Sequence, residues 1–267
     1  MWKGIDVSYA QAKIDWDKVK GNIDFAIIRA GYGKGNVDSR FHDNIKACNR
    51  LGIPCGIYWF SYALNDTMAK AEAEYCYNLI KNYKIDYPVC FDYEYDSYDY
   101  AKKHNAAPSS DMLAKIATAF LSRIEELGYY SMNYTNPDFL NRGFSKIADR
   151  FDTWLAQWGV SAPSKSCGMW QYSSKGSVPG INGNVDMDIS YNDYPTIIAN
   201  LSLNKPNEEV VIPDKSETYY QMAKDYYSVA VDVIEGKYST GETRKNLLKQ
   251  VGYDPYIVQK IVNFILS

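Results

Sequence analysis

Two carboxylates close the segment Tyr87-Pro-Val-Cys-Phe-Asp-Tyr-Glu94, with Asp92 and Glu94 two residues apart, directly after the apolar run Val89-Cys90-Phe91. Alternate side chains of an extended strand share a face, so Asp92 and Glu94 point one way and Tyr93 the other. Their Cα atoms then lie roughly 6.5–7 Å apart, close enough for the two charges to couple in a cleft of low dielectric. One member of such a pair keeps a proton near neutral pH. A protonated acid beside an ionised carboxylate is the arrangement that glycoside hydrolysis uses, with the acid protonating the leaving oxygen. An isolated D-x-E equally marks a solvated strand end. Here Asp6 ends a second apolar run, Gly4-Ile5-Asp6-Val7, and Asp186 and Asp188 lie in Asn184-Val-Asp-Met-Asp-Ile-Ser190. A fold that closes its first strand on its last brings these acids to one mouth.

The elements that must do so are legible as short apolar runs at residues 2–7, 24–30, 53–62, 87–94, 129–135, 152–158, 167–172 and 185–189, eight candidate strands. Stretches with helical spacing separate the early ones, at 39–51, 66–83, 109–127 and 136–150. Alternation of this kind predicts parallel pairing, and continuous apolar runs such as Ala26-Ile-Ile-Arg-Ala30 suit strands buried on both faces. After residue 150 no helix of ordinary length fits between the strands. The prediction is an α/β fold: an irregular (β/α) TIM-like barrel of eight strands with fewer helices, functional residues at the C-terminal strand ends. Residues 1–203 form the barrel, and 204–216, with two prolines and no periodicity, a linker. Residues 217–267 form a small module of three helices, at 219–235, 241–251 and 255–266.

Composition narrows the function classes. Among 267 residues 23% are charged and the net charge is −3, so nothing marks a nucleic-acid or anionic-membrane partner. No apolar stretch approaches the roughly 20 residues of a membrane span, and the first residues lack the basic and apolar regions of a signal peptide. Synthesis in the cytoplasm without a signal peptide is the expectation. Five cysteines without a C-x-x-C pair and two histidines predict neither disulfide framework nor zinc site, and no metal or organic cofactor is called for. The 25 tyrosines and six tryptophans suit sugar faces as well as cores.

Taken together, Gly4–Trp16, Gly56–Ala63, Phe91–Glu94, Trp154–Trp158 and Trp170–Asp188 resemble glycoside hydrolase family 25, the phage and bacterial N-acetylmuramidases. The resemblance covers residues 1 to about 200. It implies cleavage of the β-1,4 bond between N-acetylmuramic acid and N-acetylglucosamine in bacterial peptidoglycan, with action at the cell wall after release. It also implies Glu94 as general acid, Asp92 assisting from the same strand, and Asp6 and Asp186 as the other matching acids, with retention of configuration. A same-strand pair is spaced somewhat wider than the roughly 5–5.5 Å of direct carboxylate attack, which favours participation of a substrate acetamido group.

Tyr58 and Tyr62 alternate with Phe60 along the third strand, and Tyr134 ends the fifth where the family has a tyrosine. Stacking on sugars is their functional reading and core packing the competing one. The same choice applies to Trp154, Trp158 and Trp170. Arg29, closing its strand, stands where a cation at the mouth contacts substrate or balances the acids.

Residues 229–263 resemble the short cell-wall-binding repeat of some phage lysozymes, through Val233-Ile234, Gly236-Lys237, Gly241, Arg244, Leu248, Gly252-Tyr253-Asp254 and Val258-Gln259, with Tyr238 where tryptophan is common. That resemblance implies muropeptide binding, with Arg244 and Tyr253 as candidate contacts. A single copy gains avidity only by self-association through this module. Two other readings are a non-catalytic peptidoglycan-binding protein and a chitinase-like glycosidase. The latter expects further aspartates where Pro88 and Cys90 stand.

Overall fold

Strand β1 (Trp2–Val7) pairs in parallel with β2 (Phe25–Tyr32), and the parallel series continues through β4 (Cys55–Phe60), β5 (Val89–Asp92), β6 (Ser131–Thr135), β7 (Asp152–Ala156) and β8 (Met169–Gly176). Strand β9 (Val185–Ser190) runs antiparallel between β8 and β1 and closes an eight-stranded barrel. The two-residue β3 (Asn36–Val37) hangs on β2 as an antiparallel flap. The expected parallel pairing fails at β9 because residues 177–184 provide a turn but too little chain for a crossover helix. This computed structural model describes residues 1–205, 226 and 228–265.

Three expected helices form as α2 (Phe41–Leu51), α3 (Asp66–Ile80) and α5 (Ser110–Glu126), each with buried apolar residues at helical spacing, and a short α1 (Trp16–Val19) precedes them. The expected helix over 136–150 breaks into α6 (Pro137–Arg142) and a 3₁₀ turn at Phe144–Lys146. The break falls at Gly143, where a Cβ would sit 2.7 Å from the Ser110 carbonyl oxygen. Helix α4 (Tyr95–Lys103), absent from the sequence reading, buries only Ser97 and Ala101, so it carries no apolar stripe to announce it. Helix α7 (Tyr194–Asn200) lies under the barrel, its Tyr194 and Ile198 packing with the interior cluster.

The core has two layers. Between barrel wall and helices lie Ile28, Ile57, Phe91, Phe120 and Phe139, among others, while Phe25, Ile27, Tyr87, Cys90, Met132, Trp154 and Met169 fill the interior. Inside, Phe25 stacks on Tyr87 with ring centroids 4.4 Å apart. Gly4 and Gly56 make room for this stack: a Cβ on Gly4 would lie 2.3 Å from the Phe25 ring and one on Gly56 2.7 Å from Tyr87 Cβ. Each buried ring contributes about 1.5–3 kcal/mol, so the lower barrel is a solid plug and the acids can open only upward.

The chain divides into two compact units, Met1–Glu208 and Glu209–Ser267. Asn204 still belongs to the barrel. Its side chain accepts from the Tyr130 N–H at 2.7 Å and donates to the Tyr87 carbonyl at 2.9 Å. From residue 206 to 216 the expected linker lies outside the described residues, as do 219–225 of the first expected C-terminal helix. What is described of the second unit is a helix at 228–234 (α8), α9 (Gly241–Gln250) and α10 (Pro255–Ile265). These bury Val229, Ala230, Val233, Leu248, Val258 and Val262 together. No described helix is long and apolar enough to cross a membrane.

Candidate active site

Strand β5 ends at Asp92, which is 5% exposed, and the chain leaves the sheet two residues before the expected end. Glu94 keeps extended backbone angles but serves as the N-cap residue of α4, where its N–H donates to Ser97 Oγ at 3.2 Å. Asp92 is therefore a wall residue of the barrel interior and Glu94 a half-buried rim residue above it. Burial, and then the Glu94 charge, raises the Asp92 carboxyl well above the usual carboxylate range, while Arg29 pulls the other way. Glu94 is also raised, by burial and by the charges of Asp96 and Asp186, against the polar Tyr134 hydroxyl beside it, which lowers it. Asp92 Oδ1 is buried and has no hydrogen-bond partner.

The seam between the first and last strands supplies the other acids. Asp6 on β1 stands opposite Asp186 on β9, and Asp188 stands opposite Gly4, one pleat deeper because β9 descends into the barrel. Asp186, half-buried, is pushed up to about 6 by burial. Burial first, then the charges of Asp188 and Asp186, hold Asp6 well above its ordinary value, and Asp188, with no exposed surface, is raised by burial too. Gln171 Nε2 donates to Asp6 Oδ2 at 2.8 Å, and Trp154 Nε1 donates to Asp188 Oδ1 at 2.9 Å. Gln171 Oε1 in turn accepts from Trp158 Nε1 at 3.1 Å and from the Tyr134 hydroxyl at 3.2 Å.

Tyr134 and Tyr58 line the interior beneath the carboxylates, each packing its ring edge-on against Trp154. Trp154 itself is 1% exposed with its N–H committed to Asp188, so it packs in the interior and presents no face to a sugar. That corrects its expected place among the substrate contacts. Trp170 is likewise buried, donating to the Gln157 carbonyl at 2.8 Å, whereas Trp158 is 53% exposed at the rim. Arg29 is paired with Asp38 through Nε at 2.7 Å and lies over the Tyr9 ring, 4.8 Å from its centroid. Its charge is thereby fixed in place to act on Asp92. Beside it a cavity of about 360 Å³ is bounded by Tyr9, Arg29, Tyr32, Phe60, Tyr62 and Asp96. Tyr62 lies beyond the end of β4, half-exposed, against Phe60 and Tyr100.

The structure thus brings Asp6, Asp92, Glu94, Asp186, Tyr58, Tyr134 and Arg29 together. It adds Gln171 and Asp38, which the sequence reading did not place in the site, and sets Asp188, expected at the mouth, one pleat below Asp186. A further support is Glu72 on α3, 3% exposed, which accepts from the Tyr62 N–H at 3.1 Å and is pushed up to about 7 by burial. Ser61, the neighbouring residue, donates its N–H to the Asp92 carbonyl at 2.7 Å. In the second unit, Arg244 Nε donates to the Ser239 carbonyl at 2.8 Å and Tyr253 packs edge-on against Tyr226, with ring centroids 5.1 Å apart.

Glycosyl hydrolases family 25 matches residues 5–181, and the CW_7 repeat matches residues 228–266. The family match stops short of Asp186 and Asp188, which the closure of β9 on β1 carries into the site. Lysozyme M1 of Streptomyces globisporus is 31% identical over 205 residues, covering 69% of this chain and 66% of its own length. The lysozyme of Streptococcus phage Cp-7 is 28% identical over 217 residues, covering 79% of this chain and 56% of its own. The modular autolysin LytC of Streptococcus pneumoniae, solved in complex with a synthetic peptidoglycan ligand, superposes with a TM-score of 0.62 at 32% identity. That superposition covers 71% of this chain and 46% of LytC. The chain therefore spans between about half and two thirds of the length of these relatives. On the match of residues 5–181 and the shared barrel, the chain belongs to glycosyl hydrolases family 25.

Proposed function

We propose that this chain is a peptidoglycan hydrolase that cleaves the β-1,4 bond between N-acetylmuramic acid and N-acetylglucosamine, with Glu94 as general acid and Asp92 assisting. The observation that carries the reading is the pair itself: a half-buried carboxyl at the rim above a buried one, both raised by burial and the buried one raised further by the charge of Glu94. In the free site Asp92 is raised further than Glu94; the route requires the proton on Glu94 for the leaving oxygen once the sugar N–H meets Asp92, and Arg29 favours the ionised form of Asp92. Asp92 Oδ1 is an acceptor with no donor, and the acetamido N–H of an N-acetyl sugar is a donor of the kind it lacks.

In this route the acetamido oxygen attacks the anomeric carbon as Glu94 protonates the departing oxygen. Asp92 holds the N–H of the resulting cyclic cation, and water deprotonated by the Glu94 carboxylate reopens it with net retention. Tyr62, Phe60 and Trp158 offer rings at the rim for neighbouring sugars. The CW_7 unit, with Arg244 and Tyr253, is read as a wall anchor, and the whole as an endolysin-type enzyme acting at the cell wall. The decisive test is the chemistry of the new ends. Purified walls digested with the protein should show N-acetylmuramic acid at the reducing ends, and Glu94→Gln should show none. New ends of N-acetylglucosamine, or clearing by Glu94→Gln at the wild-type rate, would overturn the assignment.

A further inference from the structure

Helix α4 lacks an apolar stripe but carries another. Asp96, Asp99, Tyr100 and Lys103 recur at i, i+3, i+4 and i+7, which is one face of a helix. All four bound a second cavity, of about 540 Å³, facing Tyr32 and Lys34 of the chain between β2 and β3. This cavity shares Tyr32, Tyr62 and Asp96 with the one of about 360 Å³ beside Arg29, so the two form a single groove that leads away from the catalytic carboxylates. Tyr62 spans it. Its ring centroid lies 6.4 Å from that of Tyr32 on one wall and 5.1 Å from that of Tyr100 on the other.

Charge is spread unevenly along the groove. At the end nearer the acids stands Asp96, exposed, with no ion pair or side-chain hydrogen bond among the described residues. At the far end stand Lys34 and Lys103, exposed and likewise unpaired among the described residues, while Asp99 between them and Asp96 is offset by Lys102 at 3.4 Å. Seven residues of helix separate Asp96 from Lys103, about 10 Å, the span of roughly three residues of extended peptide. A neutral glycan backbone offers nothing to this pattern. A peptide joined through its N-terminus to the lactyl group of muramic acid does, because its N–H groups come first and its terminal carboxylate last.

We propose that the groove between α4 and the β2–β3 turn binds the stem peptide of a muramic residue at the mouth, Asp96 accepting from its N–H groups and Lys34 and Lys103 receiving its terminal carboxylate. The proposal rests on the hydrolase reading and adds to it a preference for strands that carry peptides. Tyr62, bounding both cavities, faces a sugar in the nearer one and the peptide in the farther.

The test compares soluble glycan strands of one length with their stem peptides intact or removed by an amidase. Wild type should show the higher kcat/KM on peptide-bearing strands, through a lower KM. Lys34→Gln combined with Lys103→Gln removes two exposed charge contacts and should cut that preference by about tenfold at low salt. Lys70→Gln combined with Lys115→Gln, on exposed positions of α3 and α5 outside the groove, removes the same charge and should keep the wild-type preference. A wild type indifferent to the peptide, a preference unmoved by the groove changes, or an equal loss in both double variants overturns the proposal. Should wild type release no muramic acid ends, the hydrolase reading falls, and calorimetry of a soluble muropeptide with the full chain still decides the groove. Changing Lys34 and Lys103 should then remove one binding site, and an unchanged number of sites sinks the proposal.

Discussion

Gln171→Leu separates what holds Asp6 from what surrounds it. The side chain is 3% exposed and makes three hydrogen bonds, but their losses are unequal. Trp158, 53% exposed, recovers water for its N–H and costs little. Tyr134 keeps Glu94 as a partner for its hydroxyl. Asp6 alone loses a donor it cannot replace, and a hydrogen bond to a charged group is worth about 1.5–3 kcal/mol. If that stabilisation is drawn on in the transition state, kcat/KM falls by about tenfold to somewhat over a hundredfold. The Gln171 N–H is also the one contact lowering the Asp6 carboxyl. Without it Asp6 takes up its proton at higher pH, and the acidic limb of the rate profile should move upward. The assay is release of reducing ends from purified walls as a function of pH, with urea unfolding followed by tryptophan fluorescence. All six tryptophans lie in residues 1–170, so the signal reports the barrel unit. A folded Gln171→Leu with kcat/KM within a factor of about two of wild type and an unmoved acidic limb would refute the reasoning.

Three other perturbations test separate parts of the structure. Asp38→Ala leaves the Arg29 guanidinium, 15% exposed, without its carboxylate, and should destabilise the barrel by about 3–5 kcal/mol in urea unfolding. Glu72, pushed up to about 7 from the ordinary glutamate value of 4.5, stabilises the fold below the latter value and loses that contribution as pH rises through the former. Glu72→Gln should flatten the decline, which amounts to roughly 3 kcal/mol between the two; equal slopes for variant and wild type would dismiss the effect. Removing residues 209–267 while keeping Asn204 should leave cleavage of soluble muropeptide fragments unchanged and slow lysis of intact walls, as measured by turbidity.

Much of the site was legible in the sequence because parity on a strand and order along a barrel are one-dimensional properties. Asp92, Glu94, Asp6 and Asp186 needed only alternation and closure to be brought to one mouth. Two residues and one helix needed more. Asp188 has the same parity as Asp186, and which of them lies deeper depends on the direction of β9, which the alternation of strands and helices leaves open. Gln171 does not titrate, and its importance comes from partners 13, 37 and 165 residues away in the chain. Helix α4 escaped because its buried residues are a serine and an alanine, so the acid and tyrosine run after Glu94 carried no period to read. Trp154 shows the converse error, where a family aromatic position is an interior donor.

The seam of β1 and β9 has a consequence for how the protein is made. Asp6 precedes its partners Gln171, Asp186 and Asp188 by 165 residues or more, so the acids assemble only after most of the barrel has been made. A chain cut short before β9 keeps Asp92 and Glu94 but lacks the strand that pairs with β1, so it cannot assemble the ring of acids.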